Sequence, residues 1–169
     1  MVHKEDTMDK QAICDFLEEK NIHYEVDEHE AVMNMEELAN VDLKYPGRDA
    51  KNLFVRDDKK RNYYLITVYG DKRVDLKEFK EKHGTRRLSF GKPDDLKAKL
   101  GLEAGAVSPF GLLNNEEHDV IFYLDRQFTK QGGIIGIHPN DNTATVWLQA
   151  DDLVALLEEA GTKVNVVAI

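Results

Sequence analysis

Two pairs of β-prone runs in this chain are joined by connections too short for anything but an antiparallel return. Residues 51–56 and 63–69 flank the polar segment 57–62, and residues 134–137 and 144–148 flank a turn containing His138, Pro139, Asn140, Asp141 and Asn142. A parallel partner would need a crossover of a dozen residues or more. Helical patterns occur between other strands, but without the regular alternation of a doubly wound sheet. The chain therefore reads as α+β, a mixed, largely antiparallel curved sheet flanked by helices. Its 169 residues suffice for one domain with a substantial core, taken as 1–169.

The remaining elements follow from periodicity and caps. Met8, Ala12, Ile13, Phe16 and Leu17 recur at helical spacing, predicting a first helix to Lys20 capped by Thr7 or Asp6. Residues 22–26 alternate as a strand, and Asn34-Met35-Glu36-Glu37 has the cap pattern of a short helix. Tyr45-Pro46-Gly47-Arg48 is a turn. Asp75 caps a helix to His83 closed by Gly84, and Pro93 opens another to Leu100 closed by Gly101. Residues 87–90, 120–124 and 163–167 read as strands, and 151–160 as an amphipathic helix. Between them, Gly105-Ala106-Val107-Ser108-Pro109-Phe110-Gly111 combines small residues with chain breakers, a composition that lets backbone approach a ligand closely.

Several function classes are excluded or disfavoured. With 41% hydrophobic and 33% charged residues, no apolar run reaches the length of a membrane span, and residues 1–9 lack an apolar signal core. A cytoplasmic protein is expected. Cys14 is the single cysteine, so no internal disulfide can form, and its helical context suggests burial rather than catalysis. No dinucleotide, Walker, nucleophile-elbow or zinc-protease motif is present. His29, in an acidic stretch, reads as an exposed loop residue, and no second His or Cys lies at metal spacing, so neither metal nor cofactor is expected.

The net charge of −9 conceals a strong asymmetry. Residues 44–99 hold 17 of the 23 Lys and Arg but only 9 of the 32 Asp and Glu, a local excess of eight positive charges. If several share a face they can meet phosphates. Lys59, Lys60 and Arg61 are equally compatible with a solvated hairpin tip. Pro139 pushes His138 into an extended conformation, so its imidazole leaves a strand end in a set direction. Alone, this is only a hairpin corner.

Four features stand in one order: Lys51-Asn52-Leu53-Phe54 opening a strand, Arg87-Leu88-Ser89-Phe90, Gly105-Ala106-Val107-Ser108-Pro109-Phe110, and Gly136-Ile137-His138-Pro139-Asn140 before Thr143-Ala144-Thr145. Together they resemble the YbaK and prolyl-tRNA editing domain family, closest to its freestanding PrdX or ProXp-ala branch, over essentially the whole chain. The resemblance implies an aminoacyl-tRNA deacylase acting in trans, with alanine on proline tRNA as substrate. Cysteine or another small amino acid on tRNA is the alternative substrate, and a non-catalytic tRNA- or synthetase-binding module the alternative of another class. It implies mischarged proline tRNA as partner, with prolyl-tRNA synthetase a candidate second partner.

Residue by residue, Lys51 matches the family's essential lysine, Asn52 the adjoining polar position and His138 the histidine at the pocket mouth. Gly105 and Ser108 match the small-residue loop beside the substrate, with Asn140 in a supporting place. Lys72, Arg73, Arg86 and Arg87 are the expected tRNA-binding cations. An activated ester needs a positioned water and a stabilised oxyanion more than a covalent nucleophile. Lys51 can supply charge to the oxyanion or to a terminal phosphate. Asn52 and His138 can hold water, the substrate amine or the terminal ribose. His138 fits general base or orienting group, with orientation preferred because Pro139 fixes its direction.

Overall fold

The computed structural model describes residues 8–31, 44–45, 47–70, 72–130 and 133–169. The short helix expected at Met35 lies outside them, as do Thr7 and Asp6. Helix α1 (Lys10–Glu19) is capped instead by Asp9, whose carboxylate accepts the Ala12 N–H at 2.9 Å. That start places Ile13 and Leu17 in the core and leaves Met8 ahead of the helix. Strand β1 (Tyr24–Glu28) begins two residues later than the alternation suggests. The reason is local: Asn21 adopts φ 57° and the Ile22 N–H closes the helix end on the Leu17 carbonyl.

The other strands are β2 (Ala50–Asp57), β3 (Tyr63–Tyr69), β4 (Leu88–Phe90), β5 (Val120–Asp125), β6 (Ile134–Ile137), β7 (Ala144–Gln149) and β8 (Val164–Val167). The helices are α2 (Leu76–His83), α3 (Pro93–Leu100) and α4 (Ala150–Glu159). The caps at Asp75, Gly84 and Gly101 fall where the sequence puts them. Both glycines occupy the left-handed region, at φ 70° and 68°, which glycine adopts without strain.

The fold is α+β with antiparallel and mixed pairing, but the expected single curved sheet is divided in two. Strands order as β1-β7-β6 and as β4-β2-β3-β5-β8, with β3–β5 and β5–β8 parallel. One parallel bridge, Asp49 to Gly136, joins them, and the Gly136 N–H donates to the Arg48 carbonyl at 3.0 Å. Arg48 also clasps the seam with its side chain, donating to the Ile134 carbonyl at 3.0 Å and the Tyr69 hydroxyl at 3.2 Å.

The main core lies where one face of each sheet meets the helices. Phe54, Leu65 and Phe122 from the larger sheet meet Ile135, Val146 and Leu148 from the smaller, with α1, α3 and α4 supplying Leu17, Leu100 and Leu153. A second cluster on the other face of the larger sheet joins Val55, Tyr64, Ile66 and Val68 to Phe79 of α2. Burial on both faces explains why β3 reads as a nearly continuous apolar run.

Candidate active site

The smaller sheet buries one face and keeps the other polar. Cross-strand register places Glu25 and Gly136 beside Trp147, and Asp27 beside Thr145. Asp27 accepts the Trp147 indole N–H at 2.8 Å and the Lys44 N–H at 2.7 Å. Tyr45 donates its hydroxyl to Glu25 at 2.5 Å and meets the Trp147 ring edge-on, with centroids 5.4 Å apart. Gly136 makes room for that indole: a Cβ there would lie 2.2 Å from a ring carbon.

His138 follows β6 at the edge of this face. Its Nδ1 lies 3.0 Å from the Ala144 carbonyl, which can only accept, so Nδ1 carries the proton and Nε2 of the neutral ring keeps its lone pair. Burial pushes the imidazole below its ordinary pKa. The Ala144 carbonyl opposes this, His29 adds to it, and the Asp141 and Asp49 carboxylates oppose it. Ser108, fully buried, donates its hydroxyl to the His138 carbonyl at 2.5 Å and accepts the Phe110 N–H at 3.2 Å. It thereby ties the small-residue segment to the strand end bearing His138. Gly105 sits half-buried in the short 3-10 turn Ala104–Ala106.

Asn140 takes φ 60° in the same corner, and its amide donates to the Met8 carbonyl at 2.8 Å. Among the described residues its Oδ1 is buried without a hydrogen-bond partner. Asp141 closes the turn, accepting from the Thr143 N–H at 2.8 Å and hydroxyl at 2.5 Å.

Lys51 reaches the same seam from the other sheet. The parallel bridge at Asp49 and Gly136 means that Lys51 and His138 each lie two residues further along the bridged segments. Strand alternation turns Asn52 to the opposite face from Lys51, where its Oδ1 accepts the Thr67 hydroxyl proton at 2.6 Å. Asn52 thus fastens β2 to β3 directly beside Lys51.

His29 corrects the sequence reading. Rather than an exposed loop residue it is half-buried, and its ring meets that of His138 edge-on at 6.4 Å. Nδ1 lies 2.9 Å from the Glu30 carbonyl, so Nε2 accepts from the Thr145 hydroxyl, also at 2.9 Å. Asp49 was likewise missed; it is buried at the seam, with only 9% exposure. Periodicity could not reveal either, because His29 is placed by β1 meeting β7 across more than 100 residues of chain and Asp49 by its bridge to Gly136. Cys14 is half-buried rather than fully buried. Burial raises its thiol pKa, a hydrogen bond with Tyr24 counteracts this, and Glu18 and Asp15 reinforce it. Among the described residues, no three His, Cys, Asp or Glu side chains gather to hold a metal ion.

The four expected tRNA-binding cations divide into two kinds. Lys72 binds Asp125, a carboxylate only 2% exposed, at 2.6 Å and the Ile169 carbonyl at 3.2 Å. Arg86 makes two hydrogen bonds to Asp58, at 2.7 and 3.1 Å. Arg73 and Arg87 are exposed.

Lys51 and His138, on separate sheets of this α+β domain, thus each stand two residues beyond the bridge that forms the seam. The aminoacyl-tRNA editing domain family model matches residues 29–156, which include Lys51, Ser108 and His138. The chain is 40% identical over 152 residues to prolyl-tRNA editing protein ProX of Acetoanaerobium sticklandii, covering 90% of this chain and 92% of that one. It is 32% identical over 143 residues to prolyl-tRNA synthetase associated domain-containing protein 1 of Mus musculus, covering 83% and 84%. A crystal structure of a candidate trans-editing enzyme for prolyl tRNA synthetase superposes with a TM-score of 0.70 at 22% identity, covering 95% of this chain and 96% of that one, a likeness of fold. The chain belongs to the aminoacyl-tRNA editing domain family. No helix among the described residues is long and apolar enough to cross a membrane.

Proposed function

We propose that this protein is a trans-acting aminoacyl-tRNA deacylase whose substrate is alanine esterified to proline tRNA. Family membership supports the reaction class, and the similarity to a protein named for prolyl-tRNA editing supports the tRNA. The observation that carries the mechanism is the Asp49–Gly136 bridge, which brings the strand of Lys51 alongside the strand end of His138.

In the proposed reaction, water adds to the ester carbonyl carbon and negative charge develops on the carbonyl oxygen. The carbon–ribose oxygen bond then breaks, the ribose oxygen takes a proton, and free amino acid leaves. Lys51 stabilises the oxyanion. His138, neutral through burial, presents Nε2 as an acceptor that orients the terminal ribose hydroxyl, the substrate amine or the water. Asn52 holds β2 in place through Thr67, and Ser108 fixes the His138 backbone. His29, itself held by the Thr145 hydroxyl, flanks the imidazole from the side. Gly105 and Ser108 belong to the wall beside the amino acid, and Asn140 supports the corner.

Small residues in that wall let backbone approach a small amino acid closely but discriminate weakly among alanine, serine and cysteine, since packing differences of one small group give only modest selectivity. Deacylation of alanyl-, seryl- and cysteinyl-tRNA carrying the proline anticodon ranks them directly. Alanyl ester should be hydrolysed fastest, and a clear preference for cysteinyl ester would reassign the substrate. A protein that slows spontaneous ester loss would be a binding module instead.

A further inference from the structure

Lys51 stands at one end of β2, and the opposite end leads into the tip 57–62, about 20 Å away at the usual rise per residue. This tip is rigidly built. The fully buried Asp57 carboxylate accepts the Lys59 N–H at 3.1 Å, the Arg61 N–H at 2.9 Å and the Asn62 amide at 2.8 Å. The Arg86–Asp58 pair then clamps the segment before β4 to it. Residues 56–62 and 86–92 form one edge of the larger sheet and carry seven Lys and Arg against two Asp, in a chain of net charge −9.

Most of that charge is uncompensated. Lys59, Lys60, Arg61, Arg87 and Lys92 are exposed and make no ion pair among the described residues. Arg56, opposite Ser89 on β4, has a buried Nε without a hydrogen-bond partner among the described residues. In their midst stands Phe90, 64% exposed, the one Phe, Tyr or Trp among the described residues left open to solvent on this scale. Its backbone is held by pairing with Val55, and the next N–H, that of Gly91, donates to the Phe54 carbonyl at 2.9 Å. A fixed aromatic face among free cations suits an unpaired base flanked by phosphates.

We propose that this edge is a second RNA-contact surface, with Phe90 stacking on an unpaired base and Lys59, Lys60, Arg61 and Arg87 meeting the neighbouring phosphates. It rests on the deacylase reading, since the same RNA would carry its ester to Lys51. It also shifts the RNA path away from Lys72, whose ammonium already serves Asp125.

Binding of uncharged proline tRNA, followed by fluorescence anisotropy across a salt series, tests this separately from catalysis. Phe90→Ala should weaken affinity roughly tenfold and Phe90→Trp restore it, the size expected for one base–aromatic stack. Replacing Lys59, Lys60 and Arg61 by Ser should reduce the slope of log affinity against log salt by about 2–3. Replacing Lys77 and Lys82 on α2 by Ser, a control on another surface, should leave the slope nearly unchanged. Circular dichroism verifies that each variant is folded. Wild-type affinity and slope in both edge variants, with the wild-type protein hydrolysing its ester, would overturn this surface while leaving the deacylase reading intact. Absence of both tRNA binding and hydrolysis in the wild type would overturn the two together. Unchanged RNA affinity in the edge variants with loss of binding to purified prolyl-tRNA synthetase would assign the edge to a protein and overturn the proposal.

Discussion

Lys51 and His138 have different physical reasons for mattering, and their substitutions should differ accordingly. Lys51→Ala removes the charge proposed to face the oxyanion but little of the core. Deacylation should fall roughly 100-fold or more, the scale of losing one oxyanion donor, while thermal unfolding changes by no more than about 0.5 kcal/mol. Near-normal turnover in the folded variant would remove Lys51 from the mechanism. For His138 the tautomer adds a consequence that the sequence did not carry. Whether Nε2 orients a group or takes a proton, it must be neutral, so an acid limb is expected for either role, below the ordinary histidine range because burial depresses the pKa. Side-chain replacement separates the roles: His138→Gln should retain about a tenth of the rate if the ring orients, and lose about 10²–10⁴-fold if it is a general base.

At this scale the sequence revealed the residues with local signatures and hid those made by distant contacts. Pro139 marks His138 as directed, and Ser108 stands out in a run of small residues. His29 carries no such mark, because its partner Thr145 lies on β7, and only the β1–β7 register brings them together.

The elements were most legible where a cap or turn residue fixes them. Asp75, Gly84, Pro93 and Gly101 delimit α2 and α3 where local chemistry puts them, and the two short-turn strand pairs are both present. The division into two sheets was not legible. It depends on pairings between segments distant in sequence, β1 with β7 and the bridge from Asp49 to Gly136, and neither these nor the packing of Trp147 on Gly136 leaves a periodic trace. Gly136→Ala therefore tests an element-level contact. The added methyl must displace the indole or part β6 from β7, costing about 1–3 kcal/mol. Urea unfolding measures this, and the Trp147 fluorescence should shift with the loosened ring. An unperturbed indole and unchanged stability would show that the close approach is not required.

Across the whole molecule, two histidines link folding to pH. Burial lowers the pKa of His83, reinforced by nearby Lys82, and its ring packs against Phe79 and Tyr123 with centroids 4.4 and 5.5 Å away. His138 is lowered as well. As pH falls, the unfolded chain protonates first, near pH 6.5. The stability these groups contribute is complete above that value and shrinks as pH drops toward their folded-state pKa values. Thermal unfolding should thus move to lower temperature between pH 7 and pH 5, and His83→Phe should flatten the decline. An equal decline in that variant would exclude His83 from the linkage.

The central claim is hydrolysis of a mischarged ester at the Lys51–His138 seam, and its most direct measurement is release of alanine from alanyl-tRNA bearing the proline anticodon. Wild-type protein should release it catalytically, well above spontaneous loss, while folded Lys51→Ala should approach the spontaneous rate. Release no faster than spontaneous hydrolysis by the wild type on alanyl, seryl and cysteinyl esters, or equal turnover by the two proteins, would contradict the account.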